Sequence, residues 1–112
     1  MDIEVRIVGG VAILDLKGRL ILEEGEKAFR QEVDTLMDGG HLKILVNFEG
    51  VSYLDSAGVG AVVWKFVTIQ RKGGMLKLLN LKARSYRVLS VTKILSVLES
   101  FESEEEALKS FS

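Results

Sequence analysis

The sequence contains no cysteine and no proline, and only one of its 112 residues is a histidine. Without cysteine the chain can form neither disulfide bonds nor thiolate metal sites, which suits a reducing compartment. The single histidine, His41, follows two glycines in a predicted loop and has no second candidate ligand at helical spacing. We therefore expect no metal site and no cofactor, and we expect His41 to face solvent.

Long apolar segments and an excess of charge of one sign are also missing. No window approaches the roughly 18 consecutive apolar residues of a membrane-spanning helix, and the N-terminus lacks the pattern of a signal peptide. The 15 basic and 16 acidic side chains give a formal net charge of −1, which offers no electrostatic reason to expect nucleic acid binding. We expect a cytoplasmic protein that does not insert into membranes.

Catalytic motifs are absent or incomplete. Gly58 and Gly60 do not complete a dinucleotide fingerprint, because Val63 occupies the place of the third glycine. No Walker-type lysine motif is present, and a Ser-His-Asp triad would have to use His41. The carboxylates cluster in runs typical of solvated helix faces. The sequence therefore predicts a protein that is not an enzyme, and it disfavours a nucleotide-binding domain.

Apolar periodicity predicts an α/β fold. The pair Gly9-Gly10 separates two strand patterns and favours a tight antiparallel hairpin, whose second strand is expected to be covered on both sides and to end at Lys17-Gly18-Arg19. Helix patterns between later strands form βαβ units, so part of the sheet should be parallel. The predicted strands cover residues 3–8, 11–17, 43–48, 75–79 and, at an edge, about 97–101. The predicted helices cover about 23–38, 57–71, 82–90 and 104–110.

Some side chains receive specific predictions. Tyr86 and Leu89 are expected to point inward from the third helix, and Ser103 is expected to cap the last one in a capping box with Glu106. Trp64 lies off the main apolar stripe of its helix, yet core packing is its predicted role. Together these patterns predict one domain over residues 1–112, with a mixed sheet of four or five strands and about four flanking helices.

The stretch "YLDSAGVGAVVWKF", residues 53–66, places Asp55 and Ser56 where a helix begins. The first N–H groups of a helix lack intrahelical partners, and either side chain can accept from them, contributing about 1 kcal/mol. A capping role is therefore one interpretation of Ser56. A regulatory role is the other, because loops after parallel strands often hold functional sites and Ala57 and Gly58 leave the hydroxyl approachable.

A phosphate on Ser56 would lie where the helix dipole and free N–H groups favour an anion, so the fold should tolerate it. It would add about −1.5 to −2 charges beside Asp55. A partner surface built for a neutral hydroxyl would then have to desolvate that charge, at a cost of several kcal/mol. The physics of the sequence thus permits a phosphorylation switch.

The chain resembles, nearly end to end, a STAS domain of the bacterial anti-sigma factor antagonist type. The specific part is Asp55-Ser56-Ala57-Gly58-Val59-Gly60, which matches the pattern D-S-x-G-[LVI]-G. The weaker parts are "LKGRL" (16–20), the strand that precedes the motif (44–54), "GGMLKLLNL" (73–81) and "SEEEAL" (103–108).

The resemblance implies a partner-switching regulator. The unphosphorylated protein would bind an anti-sigma factor that is also a serine kinase, and so release a sigma factor. That kinase, using its own ATP, would phosphorylate Ser56 and end the association, and a serine phosphatase would restore it. The protein itself is expected to be a monomer or a weak dimer. The residues expected to contact the partner are Asp55, Ser56, Ala57, Gly58, Val59, Ile21, Leu22 and Glu23, of which Asp55 and Gly58 also shape the loop.

One segment departs from the family. Ile21 and Leu22 occupy the loop where the family often carries an acidic or polar residue, and acids appear only at Glu23 and Glu24. Ile21 and Leu22 are either part of an apolar docking patch or packed over the edge of the core. The alternative function is a constitutive STAS scaffold, or an accessory subunit of a signalling or lipid-transport complex, that phosphorylation does not regulate.

Overall fold

The computed structural model describes residues 1–91 and 93–112, which form a five-stranded sheet with four α-helices. The strands are β1 (Asp2–Val8), β2 (Val11–Leu20), β3 (Lys43–Leu54), β4 (Met75–Leu79) and β5 (Ser100–Phe101). The helices are α1 (Gly25–Asp38), α2 (Ser56–Arg71), α3 (Ala83–Val91) and α4 (Glu104–Lys109), and a 3₁₀ turn covers Ile94–Ser96. The predicted fold class is confirmed.

The strands lie in the order β1-β2-β3-β4-β5, with β1 antiparallel to β2 and every later pair parallel. Gly9 and Gly10 form the hairpin turn with φ of 55° and 81°, a conformation that glycine adopts without steric cost. The predicted hairpin and the predicted parallel βαβ units are therefore both present.

Two strands are longer than the sequence predicts. Strand β2 does not end at Gly18 but continues to Leu20, and β3 continues beyond Phe48 to Leu54. Gly18 has φ of 117°, and the register between β2 and β3 shifts before it and directly after it, yet Gly18 itself pairs with Val51 and Arg19 with Tyr53. The glycine makes an irregularity within a parallel ladder rather than an end.

Both faces of the central strands are covered, as predicted for β2. Along β2, Ala12 and Leu14 belong to the main core beneath α1, α2 and α3, whereas Val11 and Ile13 belong to a second core on the opposite face. Helix α4 supplies Ala107 to that second core, and Phe111, just beyond the helix, joins it. Successive strand residues point to opposite faces, so this division follows from the period of two.

Helix α4 begins after Ser103, the cap that the sequence predicts. The Ser103 hydroxyl accepts the Glu106 N–H at 3.3 Å, which satisfies one of the unpaired donors of the first turn. Leu108 is half-buried beside the buried Ala107. The predicted edge strand is shorter than expected, since β5 holds only Ser100 and Phe101, and Val97 is exposed.

Three side-chain predictions are wrong. Tyr86 and Trp64 are exposed, by 53% and 58%, and the inward position next to Tyr86 belongs to Ser85. Beside Trp64, the buried side chain is Lys65, whose ammonium bonds to Asp34 of α1 at 2.7 Å. His41 is half-buried in its loop rather than fully solvent-facing. Leu89 is buried as predicted.

Within the described residues, none of the helices combines the length and the apolar character that crossing a membrane requires.

Candidate functional site

Ser56 is the first residue of α2 and is exposed. The N-cap is Asp55, whose extended backbone leads out of β3 and whose Oδ1 accepts the Gly58 N–H at 2.9 Å. The capping requirement of the helix is thus met by the neighbour of Ser56. The interpretation of Ser56 itself as the cap is therefore wrong, and its hydroxyl is accessible at the mouth of the helix.

Asp55 also fixes the segment between β2 and α1. Its Oδ2 accepts the Leu22 N–H at 3.1 Å, and its own N–H donates to the Leu20 carbonyl at 3.4 Å. Desolvation opposes ionisation of the carboxyl, but the N–H groups of Gly58 and Leu22 outweigh it and hold the pKa of Asp55 below its ordinary value. The ionised Asp55 side chain therefore links the first turn of α2 to the loop between β2 and α1.

Gly58 has a packing role that only glycine fulfils. A Cβ at this position would collide with the Leu20 carbonyl oxygen and with Leu54 Cδ1, so α2 begins in close contact with the ends of β2 and β3. Gly25 brings α1 equally close to the backbone of Arg19 and Leu20. The two helix N-termini are thereby fixed side by side at the carboxyl edge of the sheet.

The structure brings the predicted contact residues together but exposes them unequally. Leu22 is 62% exposed and Glu23 is exposed, whereas Ile21 is half-buried. The sequence left open whether Ile21 and Leu22 form a docking patch or pack over the edge of the core. The exposure of Leu22 fits the first interpretation, and the partial burial of Ile21 fits the second. Ala57 is half-buried, and Gly58 and Val59 are buried. The accessible part of the predicted set is Ser56, Leu22 and Glu23.

A groove next to Ser56 was not predicted from the sequence. It encloses about 770 Å³ between α2 on one side and α3 with the 3₁₀ turn on the other. We call it the α2–α3 groove; its walls are Ser56, Val59, Gly60, Val63 and Trp64 from α2, and Val88, Val91 and Ile94 from the opposite side. The only signal in the sequence was the position of Trp64 off the apolar stripe.

Charges of opposite sign lie on either side of Ser56. Glu23 and Glu24 follow Leu22, and Glu24 pairs with Arg19 at 3.0 Å. On the other side, the Arg84 guanidinium of α3 lies 5.7 Å from the centroid of the Tyr53 ring. Ser56 therefore lies between an acidic loop and a basic helix, both at the carboxyl edge of the parallel strands.

The fold and the site together define a small α/β module that presents a serine and an apolar groove on one surface, which suits binding of a protein partner. Comparison with known proteins makes the class specific. The family model of the STAS domain matches residues 2–107. The chain belongs to the STAS domain family.

Individual relatives agree with this membership. The chain is 32% identical over 98 residues to the anti-sigma-B factor antagonist of Bacillus subtilis, covering 88% of this chain and 80% of that protein. A crystal structure of a candidate anti-sigma factor antagonist from Thermotoga maritima superposes with a TM-score of 0.86 at 25% identity, covering 97% and 93% of the two chains.

The fold is also that of the Bacillus cell fate determinant SpoIIAA in its phosphorylated form, with a TM-score of 0.76 at 23% identity, over 99% of this chain and 100% of that one. Anti-sigma factor antagonists of this family are non-enzymatic regulators, so the prediction that this chain is a regulator rather than an enzyme is confirmed.

Proposed function

We propose that this protein is an anti-sigma factor antagonist that binds an anti-sigma factor when Ser56 is unmodified and loses that partner when Ser56 carries a phosphate. The partner is an anti-sigma factor with serine kinase activity, a serine phosphatase reverses the modification, and the exchange takes place in the cytoplasm. The observation that carries the proposal is the exposed Ser56 hydroxyl at a helix N-terminus already capped by Asp55.

The local geometry supports a modification that leaves the fold intact. Because Asp55 holds the Gly58 N–H, addition of a phosphate at Ser56 breaks no hydrogen bond of the cap. The positive end of the α2 dipole favours an added anion by about 0.3–1 kcal/mol, which offsets part of the repulsion from Asp55. The side chain is exposed, so a phosphate would remain hydrated in the free protein.

The same geometry supports a large effect on binding. A partner in contact with Ser56 would have to remove water from a dianion, which costs several kcal/mol. Each 1.4 kcal/mol corresponds to a tenfold change in affinity. A cost of about 3 kcal/mol is therefore enough to reduce affinity about 100-fold.

Incubation with the cognate anti-sigma kinase and ATP tests the proposal. We expect the intact mass to rise by one phosphate in wild type and in Ser52→Ala, and to stay unchanged in Ser56→Ala. Ser52 is the matched control because it is an exposed serine four residues away on β3. Phosphate incorporation in Ser56→Ala, or none in wild type, would contradict the proposal.

Binding of the same kinase to Ser56→Asp provides the second readout. The aspartate adds negative charge at the same helix position, so we expect a folded protein, judged by its circular dichroism spectrum, with strongly reduced affinity. If Ser56→Asp binds as tightly as wild type, charge at this position does not control the association.

A further inference from the structure

The α2–α3 groove leaves apolar side chains in contact with water. Val91 is 80% exposed and Trp64 is 58% exposed. Of the described side chains that line the groove, all are apolar except that of Ser56. Contiguous exposed apolar surface of this kind marks interaction sites on monomeric proteins.

The α3 side of the groove has a basic rim. Arg84 and Arg87 lie four residues before Val88 and Val91, and residues at this spacing occupy the same side of a helix. Both arginines are exposed, and neither forms a salt bridge with any residue that the structure describes. The charge of Arg87, and that of Arg84 beside the exposed Tyr53 ring, is therefore not neutralised by a described carboxylate and is available to a ligand that fills the groove.

The opposite rim differs. The cations near Trp64 on the α1 side already have carboxylate partners, because Arg30 pairs with Glu26 and Lys65 pairs with Asp34. Lys65 lies 4.9 Å from the centroid of the Trp64 ring. A ligand thus meets available positive charge mainly along α3.

We propose that the α2–α3 groove binds an amphipathic helix of the anti-sigma factor, whose apolar face fills the groove and whose acidic residues pair with Arg84 and Arg87. The identity of the partner chain rests on the proposed function. Insertion of the apolar face of a helix into an apolar groove is a recurring mode of recognition. The basic rim selects an acidic flank, because complementary charge favours one partner and like charge disfavours others.

A helix bound in the α2–α3 groove would explain how phosphorylation of Ser56 weakens binding. Ser56 forms part of the groove wall, so a phosphate there would face the apolar side chains of the bound helix and the carboxylates along its edge. Desolvation of the phosphate and repulsion between like charges would both weaken binding. Phosphorylation would thus act on the groove directly, without a change of fold.

Two synthetic peptides of about 18 residues, long enough to form a helix alone, test the groove. Both carry the same leucine and isoleucine face, and one has glutamates along its edge where the other has lysines. Trp64 is the only tryptophan, so its fluorescence reports occupancy of the groove. We expect the glutamate peptide to shift Trp64 emission to the blue and to bind at least tenfold more tightly at low ionic strength, with a smaller difference in high salt.

Variants separate the groove from the rest of the surface. We expect Val91→Asp to lower the affinity for the glutamate peptide at least tenfold. Val97 is also exposed but lies outside the groove, so we expect Val97→Asp to change that affinity by less than twofold. We expect the double variant Arg84→Gln, Arg87→Gln to remove the preference for the glutamate peptide. Arg71→Gln, at an exposed arginine that does not line the groove, should keep it.

Equal binding of the two peptides, or equal effects of Val91→Asp and Val97→Asp, would overturn the proposal. Sedimentation showing a wild-type dimer that Val91→Asp converts to a monomer would overturn it too, by assigning the groove to a second copy of the chain. The peptide titration uses no kinase. A negative result therefore leaves the role of Ser56 standing, and a failure of Ser56 phosphorylation leaves the groove result standing.

Discussion

Gly58 and Gly60 lie two residues apart in α2 and meet opposite surroundings. A Cβ at Gly58 would collide with the Leu20 carbonyl and Leu54, whereas a Cβ at Gly60 would meet no atom within 4 Å. We expect Gly58→Ala to lower the free energy of unfolding by about 1–3 kcal/mol through overpacking. We expect Gly60→Ala to raise it by about 0.5–1 kcal/mol, since alanine is the better helix former.

Urea denaturation of the two variants at 25 °C measures both effects. Because each variant makes the same chemical change in the same helix, each serves as the control for the other. Shifts of the same sign and size would contradict the close approach of α2 to the end of β2.

Asp55 links α2 to the loop that carries Leu22, so replacing Asp55 should destabilise both the helix start and the loop. We expect Asp55→Ala to cost about 1 kcal/mol of stability, the usual loss for an N-cap. Asp55→Asn retains an acceptor oxygen and should cost less. Urea denaturation near neutral pH compares the two variants, and equal losses would contradict the capping geometry.

The depressed pKa of Asp55 adds a dependence on pH. A carboxyl whose pKa is lower in the folded state stabilises the protein fully above its unfolded value, and this contribution is lost as pH falls through the folded value. The ordinary value is 3.8. We therefore expect the stability difference between wild type and Asp55→Asn to be largest above pH 3.8 and to shrink below it. A constant difference across that range would mean that Asp55 gains nothing from its two N–H donors.

Helix α4 depends on packing more than on its own helicity, because six residues are too few for a stable isolated helix. Phe111 is 3% exposed in the core on the far face of the sheet. We expect Phe111→Ala to lower the free energy of unfolding by about 3–5 kcal/mol. Lys109→Ala, at an exposed residue whose ion pair with Glu105 also lies in solvent, should stay within about 0.5 kcal/mol of wild type.

Urea denaturation of both variants tests this role of α4. Amide hydrogen exchange adds a local readout, and β4 should lose protection in Phe111→Ala because Leu79 packs in the same cluster. Equal stability of Phe111→Ala and Lys109→Ala would show that this helix contributes little to the fold.

A polar network holds β1, β2 and α4 together on that same face. Arg6 of β1 bonds to Asp15 of β2 at 2.6 Å and to Glu104 of α4 at 2.8 Å. The Arg6 hydrogen bond holds the pKa of the Asp15 carboxyl below its ordinary value, against the opposing effect of burial. The network and the second core together position α4 away from Ser56, which leaves the other face free for a partner.

The whole molecule separates its stabilising and its interacting surfaces. The formal charge of −1 conceals an acidic loop and a basic helix on either side of Ser56, with the apolar groove beside it. Asp55 and Gly58 hold the start of α2 by a cap and by close packing, whereas Ser56 between them is exposed. A modification at Ser56 can therefore change binding without changing packing.

Local signals predicted much of this arrangement. The glycine pair at the hairpin, the apolar period of α2 and the aspartate–serine pair before it each specify their structure within a few residues. The sequence does not predict the end of β2 correctly, because a glycine such as Gly18 often ends a strand. The residues after Gly18 stay in the sheet because they pair with β3, which is about 30 residues away in the chain. Long-range pairing of that kind leaves no local trace.

The site was only partly predictable for the same reason. Ser56 belongs to a short motif, whereas the groove forms between helices that are distant in the sequence. Trp64 was assigned to the core because large aromatic residues are usually buried. The periodicity of α2 places Trp64 off the apolar stripe, but it contains no information about the position of α3, which forms the opposite wall of the groove.

The central claim is that a phosphate at Ser56 leaves the fold intact and removes the partner. The most direct test measures melting temperature and affinity for the purified anti-sigma kinase on one sample of protein homogeneously phosphorylated at Ser56 and on unmodified protein. We predict a change in Tm of no more than about 4 °C, corresponding to about 1 kcal/mol, and an affinity at least about 100-fold lower. Unchanged affinity, or loss of the folded state on phosphorylation, would contradict the account.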